Sequence, residues 1–314
     1  VRVVSLLPSA TELLSFVGAS EELVGVSHEC DYPAGVEALP KLTRPPIDHH
    51  AMTSAEIDAA IGRHLSETGS LYALDAELLE ELKPDLILTQ GLCDVCAVSL
   101  DVVREAATGL STNPRVLSMN PTTLGEVLAC AVEVGDAVGR GSAARESVAA
   151  LGERLVRVRE AVEGLPRPRV GAIEWLDPPF SAGHWVPEMV RLAGGEDLFA
   201  REGEPSARLR WGDVFAAEPE VLVLMPCGFD KERALLEARP LPRLEGWSGV
   251  PAVRSGRVWA VDGNSFFSRP APRLVEGVEI LARLLHPEAF AGPPPATAAR
   301  RLDPSLPEAA SPTP

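Results

Sequence analysis

The chain predicts an α/β fold of two lobes, each built on a parallel sheet and joined by one long backbone helix. Three observations carry that expectation. Strand-like and helix-like segments alternate through residues 1–122. An unbroken helical pattern then runs from Ser142 to Leu165. Beyond it the alternation resumes, and Glu218-Pro-Glu-Val-Leu-Val223 echoes Lys83-Pro-Asp-Leu-Ile-Leu88, a weak internal repeat that suggests two similar lobes facing one another.

The elements follow in order. Val3–Leu7 reads as a strand, and Ser9-Ala-Thr-Glu12 as a capping box opening a helix through Leu13, Leu14 and Val17 to Gly18. Leu23–Ser27 is the next strand, and Thr53-Ser-Ala-Glu56 opens another helix. Leu86–Thr89 is an apolar run of the kind buried in parallel sheets. Arg115–Met119 closes the lobe. Thr123-Leu-Gly-Glu126 caps a helix to about Val138, broken by Gly139-Arg-Gly141.

In the long helix, Val148, Leu151, Leu155, Val158 and Val162 recur at steps of three and four and make one apolar stripe. Glu153 and Arg157 form an i,i+4 pair on the exposed side, and Pro166 and Pro168 stop the helix. A helix of about 22 residues spans roughly 33 Å, the width of a lobe. Strand Arg169–Trp175, helix Pro187–Ala193 ended by Gly194-Gly195, strands Glu220–Met225 and Arg257–Val261, and helix Pro272–Leu285 complete the second half. The expected division is lobe 1–122, helical linker 123–168, lobe 169–291, and a disordered Pro/Ala/Ser-rich tail over 292–314.

Composition narrows the function. A length of 314 residues allows two cores, and 46% hydrophobic with 24% charged residues is ordinary for a soluble globular protein. A net charge of −16 disfavours nucleic acid and anionic membranes as partners. Nothing approaches the roughly 18 apolar residues of a membrane span. Val1-Arg-Val-Val-Ser5 reads directly as a strand rather than a signal peptide, so the expected location is cytoplasmic as the chain stands, or extracytoplasmic if a leader was removed.

The loops after three of these strands carry most of the chemistry-bearing side chains. They are His28-Glu29-Cys30-Asp31-Tyr32-Pro33, Gly91-Leu-Cys93-Asp94-Val-Cys96, and Pro226-Cys227-Gly-Phe229-Asp230. Four of the five cysteines thus lie just past the carboxyl end of a strand, the edge at which open α/β sheets bind ligands. Cys93 and Cys96 are too close to staple a fold; that spacing suits free thiols, a soft metal ion or a redox pair. No Ser–His–Asp pattern, Walker loop or Gly-x-Gly-x-x-Gly is present, and no acid–base pair assembles at a reacting centre, so no enzymatic role is expected.

Ser5-Leu-Leu-Pro-Ser-Ala-Thr-Glu12, the long middle helix and Gly183-His-Trp-Val-Pro-Glu-Met-Val-Arg-Leu-Ala-Gly-Gly195 resemble the cobalamin-binding and iron-siderophore-binding proteins of ABC importers, the helix-linked bilobal class of solute-binding proteins. The resemblance spans about residues 1–290. The three cysteine-bearing loops look like those of the cobalamin-binding subgroup. The resemblance implies two Rossmann-like lobes, a ligand held between them with little hinge closure, and a transporter permease as docking partner for a monomeric binding protein. It implies a corrinoid such as cobalamin as ligand, with a ferric siderophore or haem as the alternative. The chain departs from the family in its thiol-rich strand-end loops.

On that footing, Pro8, His28, Glu29, Cys30, Asp31, Cys93, Asp94 and Cys96 are the first lobe's candidate ligand-binding residues. Trp175, Phe180, His184, Trp185, Cys227, Phe229, Phe267 and Arg269 are the second lobe's. Aromatic residues are scarce, at 5%, yet Trp175, Phe180, Trp185, Phe229, Phe266 and Phe267 fall in loops after strands, where rings offer a planar macrocycle rigid walls. His28 or His184 could be an axial ligand to cobalt or iron, and Arg269 could hold a carboxylate or phosphate. Asp31, Asp94 and Asp230 could bind amide side groups or cap the next helix. Cys30, Cys93 and Cys96, with Cys227 from the opposite lobe, could hold zinc or iron, which would open a redox or enzymatic role; packing thiols are the simpler reading. Cys130, on the apolar side of a helix, reads as a small hydrophobe, and His49-His50 as a solvent-facing pair.

Overall fold

The structure, a computed structural model, describes residues 1–45, 52–68, 72–91 and 97–302. It divides into two compact units. The first comprises residues 1–121, 125–152 and 270–272; the second comprises 122–124, 153–269 and residues from 273 onward.

The first unit carries β1 (Val3–Ser5), α1 (Pro8–Phe16), β2 (Leu23–Val26), β3 (Thr43–Arg44), α2 (Ser54–Thr68), β4 (Ala73–Leu74), α3 (Ala76–Leu82), β5 (Leu86–Thr89), α4 (Leu100–Gly109), β6 (Arg115–Ser118) and nearly all of α5 (Leu124–Ala137). Its main sheet has the order β2-β1-β5-β6, parallel throughout. Alternating side chains leave by opposite faces. Val3, Leu86 and Leu88 enter one core with Leu13, Leu14, Ala131 and Val134; Val4 and Ile87 enter another with Leu79, Val103 and Ala107. Both faces are covered, so these strands read as continuous apolar runs rather than alternating ones.

Local chemistry explains the helix starts. Thr53 and Glu56 form the expected capping box: the Glu56 carboxylate accepts from Thr53 N at 2.8 Å, and Glu56 N donates to Thr53 Oγ1. The box expected over Ser9–Glu12 does not form. Pro8 takes the first helical position, where its missing N–H costs nothing, and Leu7 before it is extended with no side-chain cap. Ser9, Thr11 and Glu12 are therefore buried inside the first turns.

α6 (Gly141–Val162) is the expected long helix, with residues in both units. Leu151, Val158 and Val162 are buried and Val148 and Leu155 half-buried, so the stripe is core. The helix ends before Pro166: Gly164 adopts φ 75°, a left-handed terminator that a side chain would strain. Arg154 on α6 makes a bidentate pair with Glu279, both bonds 2.8 Å.

The second unit holds β7 (Arg169–Leu176), β8 (Pro179–Ser181), α7 (Val186–Leu192), β9 (Glu196–Asp197), α8 (Trp211–Ala216), β10 (Val221–Leu224), α9 (Lys231–Ala238), α10 (Pro251–Arg254), β11 (Val258–Val261), α11 (Gly263–Phe266), α12 (Leu274–Leu285) and β12 (Ala299–Arg301). β7, β10 and β11 run parallel, and β12 adds antiparallel to β11. The other edge of β7 is shared: β9 runs parallel beside Arg169 and Val170, and β8 antiparallel beside Ile173–Leu176. α12 lies against α7 so closely that a Cβ on Gly277 would come within 2.6 Å of Met189 Cε.

The tail corrects the expectation of disorder from residue 292. Ala299–Arg301 form a strand, the Arg301 guanidinium covers the Trp259 ring at 5.1 Å, and Leu302 is buried in the core. Composition favours disorder, but sheet pairing, the Arg301–Trp259 contact and the buried Leu302 outweigh it over 299–302; residues 303–314 lie outside the described residues.

Candidate functional site

In each sheet the chain leaves one central strand to one side and later returns on the other, and the crevice beyond the strands' carboxyl ends at that crossing is where open α/β sheets bind ligands. The crossing falls between β1 and β5 in the first unit and between β7 and β10 in the second.

From the end of β1, at the first crossing, runs a buried polar chain. Ser5 ends β1 and donates to Leu7 O at 3.0 Å, Thr11 donates to Ser5 Oγ at 2.8 Å, and Cys30 Sγ lies 3.1 Å from Thr11 Oγ1. Thr11 has one proton, given to Ser5, so the thiol is the donor in the last contact. Cys30 is 2% exposed and sits in the hydrophobic core with Leu13, Val26 and Ala97.

His28 is held nearby. Thr43 Oγ1 accepts from His28 N at 3.0 Å and donates to Ser27 Oγ, which makes Nδ1, 2.6 Å away, the proton-bearing ring nitrogen. Nε2 lies 3.1 Å from Glu29 Oε1, and Tyr72 packs its ring 5.2 Å from the imidazole. Pro8 and Glu29 border this edge, and Asp31 is exposed. Tyr32, which sequence reasoning left out of the site, is 44% exposed in the same loop. An aromatic residue in the loop that follows β2 was the available signal.

Cys93, Asp94 and Cys96 lie outside the described residues, as do His49 and His50. Among the described residues, no three His, Cys, Asp or Glu side chains gather as a cation site.

At the second crossing, Cys227 N donates to Glu174 O at 3.0 Å, which ties the loop after β10 to the end of β7. Cys227 itself is exposed. The Glu174 carboxylate accepts from Ser206 Oγ and, at 3.3 Å, from Gly183 N. Burial pushes its carboxyl above the usual carboxylate range, against those two hydrogen bonds. Trp175 stands opposite Phe180 in the ladder, its ring 5.3 Å from Phe229. Arg233 covers the Phe229 ring at 4.9 Å. The loop after β11 presses in: a Cβ on Gly263 would meet Pro226 O at 2.5 Å, so only glycine fits, and Asn264 N donates to Phe229 O.

His184 adopts φ 55°, with its backbone bonded to Glu204 O and Gly203 N; burial lowers its imidazole below the ordinary histidine value and favours the neutral ring. Trp185 and Phe267 are 6% and 1% exposed, and Trp185 Nε1 donates to Phe267 O at 2.7 Å. Those two rings are committed to the unit's own core rather than left as walls. Asp230 caps α9 by accepting from Arg233 N, the plainer of its two expected roles. Arg269 is buried. Cys130 is buried in α5, its thiol pushed up to about 12, as a packing cysteine should be. A cavity of about 450 Å³ between α12 and residues 293–298 shares only Phe266 with these strand-end loops.

Residues 3–264 match the model of a family described as periplasmic binding protein. The chain belongs to that family. It is 24% identical over 296 residues to an uncharacterized ABC transporter substrate-binding lipoprotein of Bacillus subtilis (strain 168), covering 92% of this chain and 81% of that one. A vitamin B12-binding protein of Vibrio cholerae is 23% identical over 282 residues, with 88% and 86% covered. Among solved structures, the periplasmic vitamin B12 binding protein of Vibrio cholerae superimposes with a TM-score of 0.67 at 21% identity, covering 92% and 97%. A periplasmic heme binding protein from Pseudomonas aeruginosa does so at 0.69 and 20%, covering 93% and 95%. Those two likenesses establish the fold. This periplasmic binding protein is thus a solute-binding component of the ABC-importer type, and no helix among its described residues is long and apolar enough to cross a membrane.

Proposed function

We propose that this protein binds a corrinoid of the cobalamin type, without a chemical step, and presents it to an ABC transporter permease. The observation that carries the reading is the half-buried pair Trp175 and Phe180 at the second unit's strand crossing, with buried Phe229 packed behind Trp175, where rigid ring faces suit a planar macrocycle. Exposed Tyr32 offers a further ring at the first unit's strand ends. Relatives named vitamin B12-binding proteins support the choice of macrocycle. Trp185 and Phe267 hold the scaffold, and Cys227 borders the ligand.

Haem is the second reading, favoured by the placing of His184, half-buried and with its backbone held at φ 55° by Glu204 and Gly203; burial lowers its imidazole toward the neutral form in which it binds iron. The test is thermal unfolding with cobalamin, cobinamide, haemin and a ferric hydroxamate in turn. Ligand at about 100 times its dissociation constant stabilises by about 2.7 kcal/mol. The corrinoid reading expects that shift with cobalamin; a shift with haemin or the hydroxamate alone overturns it.

A further inference from the structure

The Glu174 carboxylate is withdrawn from water, yet among the described residues it has no cation partner. A carboxylate so placed is costly to keep, and its cost is offset here by two hydrogen bonds alone. Their donors are remote in sequence: Gly183 N lies 9 residues away and Ser206 Oγ 32. Asp197, whose carboxyl burial also raises, accepts only from Phe199 N and Ala200 N, and so folds its own turn. Glu174 instead joins separate segments.

Those segments frame the ring-bearing strand. β8 carries Phe180 and pairs on one side with β7, where Trp175 stands opposite Phe180. On its other side run residues 207–209: Ser181 N donates to Ala207 O at 2.9 Å, Ala207 N to Ser181 Oγ at 3.0 Å, and Leu209 N to Pro179 O at 2.8 Å. Past the end of β8, His184 N donates to Glu204 O and Gly203 N to His184 O. A Cβ on Gly183 would collide with Ser206 N, so the two stretches lie in direct contact. The Glu174 carboxylate, reaching from β7, takes hold of both at once. We infer that Glu174 is a positioning residue for the ligand: it fixes β8 and residues 203–209 against β7, so that Trp175 and Phe180 present one preformed face, without touching the ligand itself. An acceptor-only group with two oxygens suits a place that offers two donors. A wall fixed before binding spares the ordering cost that otherwise weakens affinity. This inference rests on the corrinoid reading and adds the residue that sets the wall.

The experiment is calorimetric titration of wild type, Glu174→Leu, Glu174→Gln and Ser206→Ala with cyanocobalamin, with amide hydrogen exchange of the four apo proteins followed alongside. Leucine leaves both donors unpaired. Glutamine serves them again: its carbonyl accepts from Gly183 N, and its amide donates to Ser206 Oγ, which turns to accept. The dissociation constant should rise about ten-fold or more in Glu174→Leu and about three-fold in Ser206→Ala, and stay within about two-fold of wild type in Glu174→Gln. In Glu174→Leu, exchange at the Gly183 and Ala207 amides should quicken while Leu222 and Val223 of β10 keep their protection. Wild-type affinity in Glu174→Leu, unchanged exchange at Gly183 and Ala207, or equal losses in the Leu and Gln variants overturns the inference and leaves the corrinoid reading standing. Should Glu174→Leu fail to fold, Ser206→Ala decides, and unchanged affinity there overturns the inference. No binding of cyanocobalamin by wild type removes the corrinoid reading and this inference with it.

Discussion

Trp185 Nε1 donates to the backbone carbonyl of Phe267 at 2.7 Å, across 82 residues of sequence, and both rings are buried. The bond joins the start of α7 to the segment after α11. Trp185→Phe keeps an aromatic ring but orphans a buried carbonyl, and should cost about 1–3 kcal/mol by urea denaturation. A loss below about 0.5 kcal/mol would return Trp185 to the set of ligand walls.

Asp197 accepts from Phe199 N and Ala200 N through Oδ1, while Oδ2 is buried without a partner among the described residues. Burial raises its carboxyl to about 6 from 3.8. The folded chain therefore holds a proton the unfolded chain has released: stability is full below about pH 4, falls as pH climbs toward 6, and is flat above. Asp197→Asn removes that loss, and should be more stable than wild type by about 3 kcal/mol at pH 7 with no difference below pH 4. Melting curves across pH 3–8 check it; a constant offset at every pH would contradict the assignment.

The thiols should separate by accessibility. With iodoacetamide at pH 8, exposed Cys227 should react first among the three described thiols, while Cys30 and Cys130 wait for unfolding. For Cys130 the cause is double, burial and a thiol pushed to about 12. Peptide mapping after timed quenching reads the order. Prompt labelling of Cys30 would mean that the Thr11–Ser5 chain is open in solution.

Leu151→Ala on α6 should destabilise by about 2–4 kcal/mol, because Leu151 is buried in the stripe. Glu279→Gln should cost no more than about 1 kcal/mol, since its pair with Arg154 is partly solvated, and that cost should shrink in high salt. A larger effect for Glu279→Gln than for Leu151→Ala would mean that the ion pair, not the stripe, holds the helix.

By itself the sequence determined the periodic elements. The apolar run of β5 and the stripe of α6 repeat at the spacing of the structure they form, so burial could be read from spacing alone. The helix start at Thr53 was legible because both partners of its capping box are local. The family was legible for a related reason: its marking residues lie in short contiguous stretches.

What only the tertiary structure decided were relations between distant segments. β9 and β12 have two and three residues, too few for a period to show, and exist because a neighbouring strand offers an edge. Whether a ring is wall or core was likewise undecidable from spacing. Trp175 lies near the end of β7 and Trp185 just before α7 of the same unit, yet Trp185 finds an acceptor in Phe267 and Trp175 finds none among the described residues. The physical reason is that a side chain's hydrogen-bond partner is set by which loops the sheet order brings together, and that order is a property of the folded chain.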